Sequence, residues 1–239
     1  MGPTHEFEAE ARRCGYRRIV GLDEAGRGPL AGPVVAAAVL LPARCLIPGL
    51  DDSKLLTAEA REGLYGQIIA RARSIGIGSA TAEEIDRINI LEATRLAMMR
   101  ALDTLTVDPD FLVLDAIRLP GIRLPQRAII KGDRLSVSIA AASIVAKVTR
   151  DRMMSDYHHE FPQYHFNIHK GYGTPQHLHA LERCGPSPLH RLTFEPVRCL
   201  MGEVAVSRGM RDAVGGERGA AGLRSAFGVR LSERGAGLC

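Results

Sequence analysis

The segment Arg18-Ile-Val-Gly-Leu-Asp23-Glu24-Ala-Gly26-Arg27-Gly28-Pro-Leu-Ala-Gly-Pro33 begins as a run of apolar and β-branched residues and ends among glycines and prolines. The first half reads as a strand, 18–23, that stops on an acid; the second half reads as a turn. Moving outward, Val34–Leu41 is apolar throughout and bounded by Pro33 and Pro42. Its length favours a buried strand, although Ala36, Ala37 and Ala38 leave a helix open. Thr57 caps an amphipathic stretch over 58–72, and Ser74–Ala80 alternates as a third strand. Thr81-x-x-Glu84 and Asn89-x-x-Glu92 have the form of capping boxes, predicting a short helix over 82–88 and a longer one over 90–105. Asp108-Pro109-Asp110 breaks the chain before Phe111-Leu-Val-Leu-Asp115, a second apolar strand ending in an acid. A weaker strand follows at 127–131, then a helix over 138–154 whose small residues (Ala140, Ala141, Ala142, Ser143, Ala146) permit close packing. Residues 165–181 read as a loop carrying Lys170-Gly-Tyr-Gly173, then a helix whose first turn tolerates Pro175. Strands interleaved with helices predict an α/β fold around a mixed central sheet.

Composition bounds the function. A chain of 239 residues with 46% hydrophobic content can bury one good-sized core. No apolar run approaches the ~20 residues of a membrane span, and residues 1–18 lack the apolar core of a signal peptide. Five scattered cysteines without a C-x-x-C pair suggest neither zinc nor a disulfide framework, which makes the cytoplasm the expected compartment. The net charge is +4, but residues 207–239 hold six arginines against three acids, leaving only +1 for residues 1–206. Eight glycines in those last 33 residues, without periodicity, predict a flexible tail that is free to engage a protein or nucleic-acid partner.

Acids at the ends of apolar strands carry most of the chemistry. Asp23 and Glu24 end the first strand, Asp115 ends another, and Asp133 follows the weak strand at 127–131. Ligands gather beyond strand ends in open α/β sheets, so these carboxylates can converge. Crowded carboxylates repel unless a cation joins them, and hard, oxygen-seeking Mg²⁺ or Mn²⁺ suits the set. Two such ions about 4 Å apart can promote phosphodiester hydrolysis. Any one of these acids alone is more simply a solvated loop residue. Neighbouring strand residues point to opposite faces, so Asp23 and Glu24 can share a site only if the backbone bends there.

Gly26-Arg27-Gly28 lets a nucleic-acid backbone approach the main chain. The pattern Gly26-x-Gly28-x-x-Ala31 also fits a loose dinucleotide fingerprint, but Pro33-Val34-Val35 disfavours the helix that motif needs. A P-loop is excluded, since no Gly-Lys-Ser/Thr follows. Only four lysines occur. Lys54 lies on a loop after Asp51-Asp52-Ser53, and Lys147 sits one helical turn from Ser143, a spacing that suits a phosphate clamp. Solvated lysines beside a packed serine fit equally well. Tyr172, between two glycines, can stack on a sugar or base, or pack on the domain edge. The eight histidines form no H-E-x-x-H motif and read as surface or packed residues.

Taken together, these residues resemble a known family. Asp23-Glu-Ala-Gly-Arg-Gly-Pro-Leu-Ala-Gly-Pro-Val-Val35 is similar to the opening signature of bacterial type 2 ribonucleases H, the ribonuclease HII family. Asp51-Asp-Ser-Lys-Leu55, Ile88-Asn-Ile90, Leu114-Asp115, Gly132-Asp133, Ala141–Lys147 with Arg150-Asp151, and His169-Lys-Gly-Tyr-Gly-Thr174 follow in the family's order. The resemblance covers residues 16–200. It implies a ribonuclease H-like core (1–155), a small C-terminal helical extension (156–206) and an unassigned tail (207–239). It further implies a monomeric, Mg²⁺- or Mn²⁺-dependent endonuclease acting on RNA–DNA hybrids and on the 5′ side of a lone ribonucleotide in duplex DNA, leaving 3′-hydroxyl and 5′-phosphate ends. Asp23, Glu24, Asp115 and Asp133 would be the metal-binding carboxylates. Gly26, Arg27 and Gly28 would read the ribose 2′-hydroxyl, and Tyr172 would stack on the sugar that follows. The competing expectation is a non-catalytic hybrid-binding module on the same fold, disfavoured because a pure binder gains nothing from clustered negative charge facing phosphates.

Overall fold

A computed structural model describes residues 2–50 and 56–200. Lys54 and the tail at 207–239 therefore lie outside the described residues. Contacts group Met1–Met201 into one unit. Its centre is a five-stranded sheet in the order β3-β2-β1-β4-β5, with β1 at Ile19–Ala25, β2 at Val34–Leu40, β3 at Ser74–Ala80, β4 at Phe111–Asp115 and β5 at Gln126–Ile129. β1, β2 and β3 form an antiparallel meander, while β4 and β5 run parallel to β1. The sheet is mixed, as the sequence predicts.

β2 is a strand and is buried at every residue. Both of its faces are covered, so it shows no polar alternation. Val34, Ala36, Ala38 and Leu40 face one apolar cluster with Ala93, Ala97 and Ala101 from a helix at Ala82–Asp103. Ala37 and Val39 face another with Ala140, Ala141, Ile144 and Val145 from a helix at Val137–Glu160. Small side chains on both partners let the helices come close. At Gly21 of β1 a Cβ would lie 2.2 Å from the backbone carbon of Ser138, so only glycine admits the second helix at that distance.

The helices, in chain order, are α1 (Glu6–Arg13), α2 (Ala58–Arg71), α3 (Ala82–Asp103), α4 (Val137–Glu160), α5 (Phe166–His169) and α6 (Pro175–Cys184). α1 has no counterpart in the sequence reading, which begins at Arg18. Its Glu8 is fully buried and accepts bonds from Ser136 Oγ (2.6 Å) and Ser138 N (3.0 Å), placing an acid at the start of α4. The two helices predicted across 82–105 are both present as the halves of α3, separated by the non-helical Asn89 (φ 66°, ψ 165°), and the second ends at Asp103. The first capping box is complete, Thr81 and Glu84 bonding reciprocally. At the second, Asn89 Oδ1 accepts from Leu91 N and Glu92 N, but the Glu92 side chain turns to Arg95, which offers a charged partner. The strand predicted at 127–131 ends at Ile129, because Lys131 adopts a left-handed conformation (φ 58°) before a 3₁₀ turn at Gly132–Arg134. α4 runs six residues beyond the predicted end at Met154.

Beyond α4, Tyr164, Phe166, Ala180, Leu181 and Val197 pack on Met154 and on Leu30 and Ala31 of the glycine turn. A backbone bridge joins Ala31 to His190. The C-terminal helical segment is thereby fastened to the turn that follows β1. Among the described residues no helix is long and apolar enough to cross a membrane.

Candidate active site

Strand register brings the acids together. β1 and β4 are parallel neighbours with Leu22 opposite Leu114, so Asp23 and Asp115 emerge side by side. Asp110 sets that register by accepting from the Arg17 and Arg18 amides at 3.0 and 2.8 Å. Beyond β5, the Gly132 amide donates to Asp115 Oδ1 (2.8 Å), which draws the 3₁₀ turn inward and carries Asp133 with it. Ligand oxygens of Asp23, Asp115 and Asp133 lie within 4.8 Å of one another. Asp23 and Asp133 are buried, and Asp115 is half-buried.

Burial pushes the Asp23 carboxyl well above its ordinary range, and the charges of Glu24 and Asp115 push it further. Hydrogen bonds from the Glu24 amide (2.7 Å) and the Ser143 side chain act in the opposite direction and do not offset the rise. A buried group of like charges with this balance favours a bound cation. Glu24 is outside the three-acid group, yet it lines the same cavity of about 260 Å³ as Asp23 and Asp115. The predicted bend is not at Glu24. β1 stays paired with β2 through Ala25, and the chain turns at Gly26 (φ 96°). Pairing with β4 stops at Leu22, so the strand end is open on that side and both acids reach the cavity.

Gly26, Arg27 and Gly28 form one wall of this cavity, and Ser143, Lys147 and Tyr172 form another. Two arginines hold the glycine turn from beneath. Arg150 donates to the carbonyls of Pro33 (2.9 Å), Ala31 (3.1 Å) and Lys170 (3.0 Å). Arg191 donates to those of Gly26 (2.6 Å), Arg27 (2.8 Å) and Gly32 (2.9 Å). Both guanidiniums are buried, at 1% and 0% exposure, which lowers their pKa values, to about 9 for Arg191. Gly26 also has no room for a side chain, since a Cβ would fall 2.0 Å from Arg150 Nε. With its carbonyls committed inward, the turn presents Arg27 and Gly28 outward, both exposed. Arg27 reaches Glu24 at 3.4 Å.

Ser143 and Lys147 are both at the cavity, in different surroundings. Ser143 is buried and bonded to Asp23, while Lys147 pairs with Asp151 at 2.6 Å and lies 6.0 Å from the Tyr172 ring centre. Tyr172 is 44% exposed and faces Gly28 across the gap. Arg191 has no place in the sequence reading, while His177 and His190, read there as surface or packed residues, are packed; all three are buried. Arg150 was legible in part, being seven residues from Ser143 and hence on the same helix face. Arg191 lies outside any regular element and gives no such signal.

This geometry can be set beside known proteins. The family model described as Ribonuclease HII matches residues 20–197. Ribonuclease HII of Geobacillus kaustophilus is 57% identical over 192 residues, which are 80% of this chain and 74% of that protein. The Syntrophotalea carbinolica protein of the same name is 55% identical, covering 80% of this chain and 92% of the relative. The crystal structure of ribonuclease H2 from Pyrococcus horikoshii superposes with a TM-score of 0.68 at 26% identity, over 79% of this chain and 99% of that one. The matched region contains every acid of the cavity, the glycine turn and Tyr172, and the chain belongs to the ribonuclease HII family.

Proposed function

We propose that this type 2 ribonuclease H hydrolyses the RNA strand of RNA–DNA hybrids and cuts on the 5′ side of a single ribonucleotide within duplex DNA, leaving 3′-hydroxyl and 5′-phosphate ends. The observation that carries this is the meeting, in one cavity, of the carboxylates of Asp23, Glu24 and Asp115 with a glycine turn and an exposed tyrosine, with Asp133 close to Asp23 and Asp115. Asp23, Asp115 and Asp133 are spaced to share hard divalent ions, with Glu24 as a further ligand at the cavity edge, and Mg²⁺ or Mn²⁺ fits this all-oxygen set. When bound, a pair of such ions supplies the charge neutralisation and the activation of water that phosphodiester hydrolysis needs.

The chain's own groups do the rest. Ser143 orients Asp23, and the Gly132 amide orients Asp115. Gly28, without a side chain, lets a sugar approach the main chain beside Tyr172, where backbone groups of Gly26–Gly28 would read a 2′-hydroxyl. Arg27 and Lys147 add positive charge at the cavity for the flanking phosphates, and Lys54, outside the described residues, is assigned a phosphate contact from its sequence position alone. Tyr172 would stack on the deoxyribose after the ribonucleotide. Residues 1–155 then act as the catalytic core and 156–206 as the extension that carries the recognising ring. We place the enzyme in the cytoplasm as a monomer, with nucleic acid as its partner.

A duplex with one embedded ribonucleotide, incubated with and without Mg²⁺, tests the proposal. Metal-dependent scission 5′ of the ribonucleotide is expected. Intact duplex in both, with binding retained, would instead favour a non-catalytic hybrid-binding module. Tyr172→Ala should weaken cleavage at the single ribonucleotide more than on a uniform hybrid.

A further inference from the structure

Beneath the Tyr172 loop, three buried imidazoles form a column that plays no part in the chemistry described above. His169 and His177 stack with centres 4.4 Å apart, and His177 Nε2 meets His190 Nε2 at 3.0 Å. Their hydrogen bonds leave one consistent set of protons. The Ser187 amide donates to His190 Nδ1 (2.9 Å), and a backbone N–H can only donate. Neutral His190 therefore carries its proton on Nε2 and gives it to His177 Nε2. That forces the His177 proton onto Nδ1, where it donates to the Tyr172 carbonyl (2.9 Å), which can only accept. His169 is fixed likewise, accepting from the Gly171 amide at Nδ1 (3.2 Å) and donating from Nε2 to the Tyr164 carbonyl (2.7 Å).

The chain Ser187–His190–His177–Tyr172 thus has an obligate donor at one end, an obligate acceptor at the other and one direction throughout. Packing alone would not require it, since an aromatic or aliphatic side chain fills such volume without burying two ring nitrogens. The carbonyl it serves belongs to a demanding loop. Lys170 (φ 53°) and Gly171 (φ 84°) are both left-handed, and the Tyr172 ring is exposed over the cavity. Backbone partners on either side are committed too: Lys170 O to Arg150, Gly171 O to Leu30 N (2.8 Å), and Tyr172 O also to Thr174 N (2.8 Å). His177 is the side chain through which the C-terminal segment fixes the peptide of the recognising residue itself.

We propose that His177, locked in one tautomer by His190, is a positioning residue for Tyr172 and so contributes to discrimination of a single ribonucleotide from a continuous hybrid. This rests on the reading of Tyr172 as the residue that contacts the sugar at the RNA–DNA junction. Two substitutions separate anchoring from packing. His177→Asn retains a donor at the Nδ1 position and His177→Gln retains only the Nε2 position. Rates are measured with the full chain on a duplex containing one ribonucleotide and on a uniform hybrid, beside Tyr172→Ala and thermal melts of each variant. The ratio of the two rates should fall about five- to tenfold in His177→Gln and stay within about twofold in His177→Asn, the scale of one hydrogen bond. Equal ratios in the two variants would overturn the positioning role if Tyr172→Ala changes the ratio. An unchanged ratio in Tyr172→Ala would overturn the recognition reading itself. Nitrogen-15 spectra of the histidines at pH 7 give a readout independent of turnover: His177 should carry its proton on Nδ1 and His190 on Nε2. The opposite tautomer at His177 would sink the chain.

Discussion

Asp23 shows how burial and charge set the behaviour of a single residue here. Its carboxylate sits 4% exposed between Glu24 and Asp115, so in the absence of a cation the ionised form is a burden on the fold. Asp23→Asn keeps the shape and the Ser143 contact while removing the charge. Its melting temperature in chelator should equal or exceed that of the unsubstituted protein, whereas single-turnover cleavage with Mg²⁺ should drop about a hundredfold or more, the loss typical of groups acting on the transition state. A normal rate would remove Asp23 from the chemistry. Adding Mg²⁺ should raise the melting temperature of the unsubstituted protein, because an ion that binds only the folded state stabilises it by mass action. The same addition should raise that of Asp23→Asn less, and equal shifts would place the ion elsewhere.

Among the elements, α4 and β1 matter most, because their contact aligns Ser143 and Arg150 with the strand end that carries the acids. That contact depends on Gly21, where a methyl group would strike the Ser138 backbone at 2.2 Å rather than a side chain able to move aside. Gly21→Ala should therefore cost about 2–3 kcal/mol by urea unfolding, at the upper end for an overpacked core. A loss below 0.5 kcal/mol, on the order of an ordinary surface substitution, would show that α4 can retreat. The kink in α3 has a local cause in Asn89, whose side chain caps the second half of the helix from a left-handed backbone. The sequence places both helices and their starts correctly, but not the angle between them, because that angle is set by what they pack against.

Across the whole molecule, pH acts through the histidine column and, with the opposite sign, through Asp23, whose raised carboxyl takes up its proton in the folded state before the unfolded one. Burial lowers His177 to about 4 and His190 to about 3, and lowers His169 as well, from an ordinary value of 6.5. The unfolded chain gains these protons below pH 6.5 and the folded chain does not, so their contribution is present above 6.5 and is lost as pH falls toward 4. Glu84, held at about 2 by Arg100, moves in the usual carboxylate direction: its contribution stands above 4.5 and is lost only as pH falls toward 2. That pair is largely at the surface and contributes little. In an Asp23→Asn background, where the raised Asp23 carboxyl no longer opposes the trend, stability should therefore begin to decline between pH 6.5 and 5 in chemical unfolding, and adding His190→Phe should flatten that slope. By itself the sequence determined the strands ending in acids, the capped helix starts, the glycine turn and the resemblance of their order to one family, because periodicity, capping and motif spacing are local properties. Only the tertiary structure decided that Asp115 and Asp133 join Asp23, that Ser143 turns to Asp23 while Lys147 pairs with Asp151, and that buried arginines and histidines brace the recognising loop. Those outcomes depend on strand register, set by partners 92 positions apart, and on which backbone carbonyls are left to be satisfied inside, met by arginines as far as 165 positions away.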